Sequence, residues 1–120
     1  MVEAAACLAM AIWGEARGES LQGQIAVGQV VMERVRDRRW PNTVCGVVYQ
    51  PHQFQGVTRN LHLQTGWHKL RPLAEAIIKG LFVEVAPGAN HFVGTKAYKP
   101  KWTKRMKISA VIGGHVFYHG

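Results

Sequence analysis

The most distinctive acidic residues in this chain follow directly on an apolar stretch. Only seven Asp and Glu residues occur among 120, and two of them, Glu15 and Glu19, lie in the run WGEARGE at 13–19. A carboxyl group at the end of a buried helix, beside a tryptophan, is partly desolvated, and desolvation favours the protonated form that a general acid needs. The spacing is equally compatible with an ordinary helix-end pair between Glu15 and Arg17.

Four helices are predicted to position these residues. The Ala-, Leu- and Met-rich residues 2–13 predict a buried helix that stops near Gly14. Ser20 is suited to cap a second helix, and Thr43 to cap a short third one. Pro72 fits the first turn of a fourth helix.

A small β element is predicted near the C-terminus. Residues 90–93 and 115–118 have the composition of short strands, and a basic, aromatic segment at 98–107 separates them. The sequence therefore predicts an α+β fold, mainly helical with a small β element, in a single domain spanning residues 1–120. No apolar run reaches the roughly 18–20 residues that a membrane span requires.

Positive charge is concentrated in the second half of the chain. The formal net charge is +8, and the strongest run carries six bases and no acid: Lys96, Lys99, Lys101, Lys104, Arg105 and Lys107. Such a segment suits an anionic partner, which could be nucleic acid, a membrane surface or an acidic polymer. The alternative is a solvated surface that keeps the protein soluble.

Cysteine and histidine give no sign of a metal centre. Cys7 and Cys45 are too few for a disulfide framework, and a single bridge between them is allowed but not required by the sequence. The six histidines show no His-Glu-x-x-His motif or other ligand spacing, so we expect neither a metal nor a cofactor. Glu3 stands where a signal peptide would be basic, and we expect no signal peptide here.

Ordered blocks of the sequence resemble the SleB/CwlJ-type cell wall hydrolase family. The WGEARGE block is followed by GQIAVGQVVMERV at 23–35 and PNTVCGVVYQ at 41–50. The later blocks are QF at 53–54, GANHF at 88–92, PKW at 100–102 and IGGHVFY at 112–118. Because the blocks run in order through nearly the whole chain, the resemblance is more specific than any single motif.

The resemblance implies a lysozyme-like fold and cleavage of peptidoglycan between N-acetylmuramic acid and N-acetylglucosamine. Family members are regarded as lytic transglycosylases, which leave a 1,6-anhydromuramic end, and the family's catalytic glutamate falls on Glu15. One carboxylate suffices for that reaction, because the C6 hydroxyl of the substrate itself attacks the anomeric carbon. A hydrolytic muramidase needs a second carboxylate, for which Glu19, Glu33 and Asp37 are the nearby candidates.

The resemblance also indicates candidate residues for the substrate cleft. Glu19 is either a second catalytic carboxylate or a structural group that braces the next helix or pairs with Arg17. Gln53 and Phe54 are candidates for binding an acetamido group and forming an apolar wall. His91 either lines the site or is a hydrogen-bonded structural histidine. Independently of the resemblance, Tyr98 lies among lysines and is a candidate for stacking on a sugar ring.

Peptidoglycan glycan strands are the expected partner of a monomeric enzyme, with the basic C-terminal half contacting an anionic wall or membrane surface. Two other classes of function stay open. One is a basic nucleic-acid-binding module, although no helix-turn-helix, zinc-finger or RNP pattern supports it and no nucleic acid is expected. The other is a non-catalytic wall-binding protein. A phage-encoded lysin released through a membrane lesion and a trimmed exported or spore domain both fit the sequence.

Overall fold

Four helices precede a three-stranded antiparallel sheet in the computed structural model, which describes residues 3–50 and 65–120. The helices are α1 (Ala4–Ala16), α2 (Leu21–Val35), α3 (Val44–Val48) and α4 (Arg71–Ile78). The strands are β1 (His91–Gly94), β2 (Lys107–Ile112) and β3 (His115–His119), and short 3-10 helices span Gly66–Leu70 and Lys101–Arg105. The predicted α+β fold, mainly helical with a small β element, is confirmed.

Helix α1 is the centre of the hydrophobic core. Its residues from Ala5 to Ile12 are all buried, because α2, α3, α4 and the first 3-10 helix pack around it. A helix that is apolar on every side is stable only when it is covered in this way. The helix continues through Gly14 to Ala16, two residues beyond the predicted end, so Glu15 lies in its last turn. Tertiary packing thus overrides the cost of about 1 kcal/mol of an interior glycine.

Side-chain caps begin α2 and α3 at the predicted residues. The Ser20 hydroxyl accepts a hydrogen bond from the backbone N–H of Gly23 at 3.3 Å, and the Thr43 hydroxyl accepts one from Gly46 at 3.0 Å. Each satisfies a helix N-terminal N–H that has no partner within the helix. Pro72 lies in the first turn of α4, also as predicted.

A disulfide between Cys7 and Cys45 joins α1 to α3. The two Cα atoms are 5.3 Å apart, within the usual range for a bridge. Cys7 is completely buried in the middle of α1. The bridge that the sequence left open therefore ties the central helix to the helix that packs on its flank.

The sheet has the strand order β1-β3-β2, with β3 in the middle. Strand β2 was not predicted from the sequence, because its residues include the end of the basic run, and Ile108 and Val111 remain exposed. Gly113 and Gly114 form the tip of the β2–β3 hairpin, and Gly113 has the positive φ of +54° that such a tight turn favours. No helix in the described ranges is long and apolar enough to cross a membrane.

Candidate active site

The last turn of α1 carries Glu15 at the edge of the core. Glu15 is half-buried, and so is Trp13 two residues before it. Trp13 packs directly against the backbone of Gly66, where any Cβ would overlap the indole ring. The Arg17 guanidinium lies 5.2 Å from the centre of the Trp13 ring and also donates to the Trp13 carbonyl oxygen. The Trp13 side chain, two residues before Glu15, is thus held by contacts with Gly66 and Arg17.

The turn after α1 contacts the hairpin of the sheet. Oε1 of Glu19 accepts a hydrogen bond from the backbone N–H of Gly114 at 2.9 Å. Glu19 therefore lies on the connection that follows the last turn of α1, where Glu15 lies, and the tertiary structure brings the tip of a distant hairpin to that connection. The Gly-Gly pair at 113–114 before a strand-like run was the signal in the sequence for this hairpin.

One face of the sheet turns towards the core. Phe92 on β1 and Phe117 on β3 are paired residues, and their ring centroids lie 5.8 Å apart. His115 shares this face, with its ring 5.1 Å from that of Phe92. The His115 side chain is buried, and its Nδ1 has no hydrogen-bond partner in the described part of the chain. No spacing in the sequence indicated the burial of His115 beside the hairpin tip.

His91 lies on the opposite face, because successive residues of a strand alternate. Its ring is 5.6 Å from that of Trp40 and 4.8 Å from that of Trp102, and its Nδ1 is 2.8 Å from Oδ1 of Asn90. Burial, followed by the nearby charge of Arg34 and Arg39, lowers the pKa of His91 to about 4. His91 is therefore a neutral ring inside an aromatic cluster at neutral pH.

Arg34 anchors this aromatic cluster to α2. Its Nε donates to the backbone oxygen of Asn90 at 2.8 Å, and its guanidinium lies 5.1 Å from the centre of the Trp40 ring. Burial lowers the pKa of Arg34 to about 10, so the side chain stays charged at neutral pH. A buried guanidinium with these contacts fixes the start of β1 against the end of α2.

The other predicted cleft residues are Tyr98, Gln53 and Phe54. Tyr98 is 82% exposed, and Gln53 and Phe54 lie outside the described residues. In residues 3–50 and 65–120 no group of three His, Cys, Asp or Glu side chains is placed to hold a metal ion.

Comparison with known proteins identifies the family. A model of the cell wall hydrolase family matches residues 18–118, which is most of the chain. This chain belongs to the cell wall hydrolase family. The expected resemblance to the SleB/CwlJ type is confirmed, and the matched range includes Glu19 but begins three residues after Glu15.

Two of the curated relatives come from Bacillus species. A spore cortex-lytic enzyme of Bacillus cereus is 46% identical over 110 residues, which is 92% of this chain and 42% of that protein. The cell wall hydrolase CwlJ of Bacillus subtilis is 35% identical over 77 residues, covering 61% of this chain and 54% of CwlJ. The chain therefore spans less than half the length of the spore cortex-lytic enzyme that it matches.

Solved structures of the family share the architecture described above. The catalytic domain of Bacillus cereus SleB superposes with a TM-score of 0.84 at 29% identity, covering 96% of this chain and 88% of that domain. The catalytic domain of a germination-specific lytic transglycosylase, SleB of Bacillus anthracis, gives the same TM-score and identity, with 93% of that domain covered. Because the coverage includes nearly all of both chains, the likeness extends to the helices and the sheet together.

Proposed function

We propose that this chain cleaves the glycosidic bond between N-acetylmuramic acid and N-acetylglucosamine in peptidoglycan, as a lytic transglycosylase with Glu15 as the single general acid and base. The observation that carries this proposal is the position of Glu15, half-buried in the last turn of an apolar helix. The family membership and the lytic relatives support peptidoglycan as the substrate.

The reaction needs one carboxyl group that changes role. The protonated Glu15 gives its proton to the glycosidic oxygen as the bond from that oxygen to the muramic anomeric carbon breaks. The resulting Glu15 carboxylate then removes the proton of the muramic C6 hydroxyl, whose oxygen bonds to the anomeric carbon and closes a 1,6-anhydro ring. Glu15 ends protonated, as it began, and no water is consumed. The intramolecular nucleophile is already beside its target, which supplies much of the rate.

A hydrolytic muramidase is the competing mechanism on the same site. It would need a second carboxylate about 5–5.5 Å or 6.5–9.5 Å from Glu15 to act as nucleophile or base. Of the three candidates, Glu33 and Asp37 each form an ion pair with a nearby arginine, and Oε1 of Glu19 accepts the Gly114 N–H. That engagement favours the mechanism with one carboxylate.

Replacement of the proposed acid tests the function. Glu15→Gln is isosteric and cannot donate a carboxyl proton, so we expect lysis of purified cell walls to fall by at least about 100-fold. Glu84→Gln is the matched control, since Glu84 is exposed and lies outside the elements that carry Glu15 and Glu19, and it should lyse walls at the wild-type rate. Wild-type lysis by Glu15→Gln would refute the assignment of Glu15.

Mass spectrometry of the released muropeptides separates the two mechanisms. A lytic transglycosylase yields muramic ends lighter by one water than those of a muramidase. The same digest of vegetative and spore-cortex walls shows which peptidoglycan is cut. The absence of any released muropeptide would favour a non-catalytic wall-binding protein.

A basic surface is part of the same proposal. The six bases between 96 and 107 are all exposed, and within the described ranges none of them forms an ion pair. This surface, together with the exposed Tyr98 ring, suits contact with the anionic wall. The spore relatives named above favour an exported or spore setting over a phage-encoded one.

A further inference from the structure

One carboxylate links the connection between α1 and α2 to the tip of the β2–β3 hairpin. Oε1 of Glu19 accepts the backbone N–H of Gly114 at 2.9 Å, across a sequence separation of 95 residues. Glu19 therefore attaches the helical part of the molecule to the far end of the sheet.

Three glycines make room for the Glu19 side chain. A Cβ on Gly114 would lie 2.9 Å from Oε2, and one on Gly113 would overlap Oε1. On the helical side, a Cβ on Gly23 would lie 3.1 Å from Cβ of Glu19. Both carboxylate oxygens of Glu19 thus pack against glycine backbone, which carries no side chain.

The other end of Glu19 is held to the last residue of α1. Its backbone N–H donates to the carbonyl oxygen of Ala16 at 3.0 Å. The Gln24 side chain donates to the same oxygen at 3.3 Å. Ala16 directly follows Glu15, so a shift of the hairpin tip would reach Glu15 through a short series of hydrogen bonds.

We propose that Glu19 is a positioning residue rather than a second catalytic carboxylate: it fastens the hairpin tip to the turn that holds Glu15. The hydrogen bond occupies Oε1, and Oε2 lies 2.9 Å from where a Cβ on Gly114 would be, so both oxygens face the hairpin tip. The inference rests on the proposed function of Glu15, since positioning has meaning only for a reacting group. It adds that the Gly113-Gly114 tip is part of the machinery of the site.

Two substitutions of Glu19 separate the two roles. Glu19→Gln keeps an oxygen that can accept from Gly114, so we expect wall lysis within about threefold of wild type and an unchanged pH profile. Glu19→Ala removes the attachment, and we expect kcat to fall roughly 10–100-fold, as for a small misplacement of a catalytic group. Binding to purified walls in a pull-down should be unchanged for both variants, because the attachment acts on the geometry of Glu15.

A substitution on the hairpin provides an independent approach to the same contact. Gly113→Ala places a methyl group on Oε1 of Glu19 and should lower kcat to about the level of Glu19→Ala. Combining the two should cost little more than either alone, because both break one contact. Gly80→Ala is the matched control, since Gly80 has a similar φ of +72° and no atom within 4 Å of its Cβ position. It carries the backbone strain alone and should keep kcat.

The outcomes distinguish this inference from the proposed function. If Glu19→Gln is as inactive as Glu19→Ala and loses one limb of the pH profile, Glu19 is catalytic and the inference is wrong. If Glu19→Ala or Gly113→Ala lyses walls at the wild-type rate, the attachment does not position the site, and the inference is also wrong. Neither result tests the catalytic role proposed for Glu15, which is tested by Glu15→Gln alone. Should Glu19→Ala fail to fold, Glu19→Gln and Gly113→Ala still decide the question.

Discussion

The bridge between Cys7 and Cys45 gives a quantitative test of how the Glu15 helix is held. It closes a loop that contains the whole of α2 and the turn bearing Glu19, with the cysteines 38 residues apart. Replacing Cys45 by Ala removes the bridge at its more accessible end and leaves the buried Cys7 packed in α1. The change therefore tests the cross-link with little disturbance of the core.

The loop length sets the expected loss of stability. For a loop of about 38 residues, the chain-entropy relation gives about 13 cal/mol/K, or about 4 kcal/mol at 25 °C. Domains of this size unfold with roughly 5–15 kcal/mol, so the bridge supplies a large share of the total. With an unfolding entropy of about 2.1 cal/mol/K per residue over the 120 residues, the melting temperature should fall by about 15 °C.

Denaturant titration of the oxidised wild type, the reduced wild type and Cys45→Ala measures this loss directly. The free energy of unfolding should be about 4 kcal/mol lower for the reduced protein and for the variant than for the oxidised protein. Reductant should have no further effect on Cys45→Ala, which controls for unrelated effects of the reagent. Thiol titration of the denatured, unreduced wild type should detect no free cysteine.

The activity of the same samples connects the bridge to the site. Because α1 carries Glu15, wall lysis by the reduced enzyme should disappear at temperatures between the two melting points and persist well below them. A decrease in the free energy of unfolding of less than about 1 kcal/mol for both unbridged forms would refute the entropic reasoning. So would reactive thiols in the unreduced protein.

Two further predictions concern charge. Burial lowers the pKa of His91 to about 4 in the folded protein, against about 6.5 in the unfolded chain, so its contribution to stability is complete above about pH 6.5 and is lost as the pH falls towards 4. Denaturant titrations between these pH values should show that loss of stability in the wild type and a smaller loss in His91→Gln. The same dependence of the free energy of unfolding on pH in both proteins would contradict the prediction. The rate of wall lysis should fall as salt rises from about 50 to 300 mM, because ions screen exposed charges. Replacement of three lysines by Gln should weaken this dependence on salt: Lys99, Lys101 and Lys104. The control Lys79→Gln should leave it unchanged. A rate of lysis that does not change with salt would mean that the basic surface serves only solubility.

Local signals in the sequence determined most of the helical part. Ser20 and Thr43 cap the helices they were expected to cap, because a cap depends on a side chain and a backbone N–H three residues away. The apolar stretch before Glu15 predicted a buried helix for a similarly local reason. Its end was wrong by two residues, since packing of the neighbouring helices around α1, and not glycine propensity, decides where it stops.

Only the tertiary structure decided which distant residues meet. Three contacts join residues that are 38, 95 and 56 positions apart in the sequence. They are the disulfide between Cys7 and Cys45, the hydrogen bond from Gly114 to Glu19 and the hydrogen bond from Arg34 to Asn90. Strand β2 likewise depends on its partner β3, because a strand is stabilised by cross-strand pairs more than by its own composition. The sequence alone could therefore single out Glu15 and Glu19 as a pair of carboxylates. Their different surroundings, one at the end of the core helix and one fastened to a hairpin, come from contacts that local pattern does not encode.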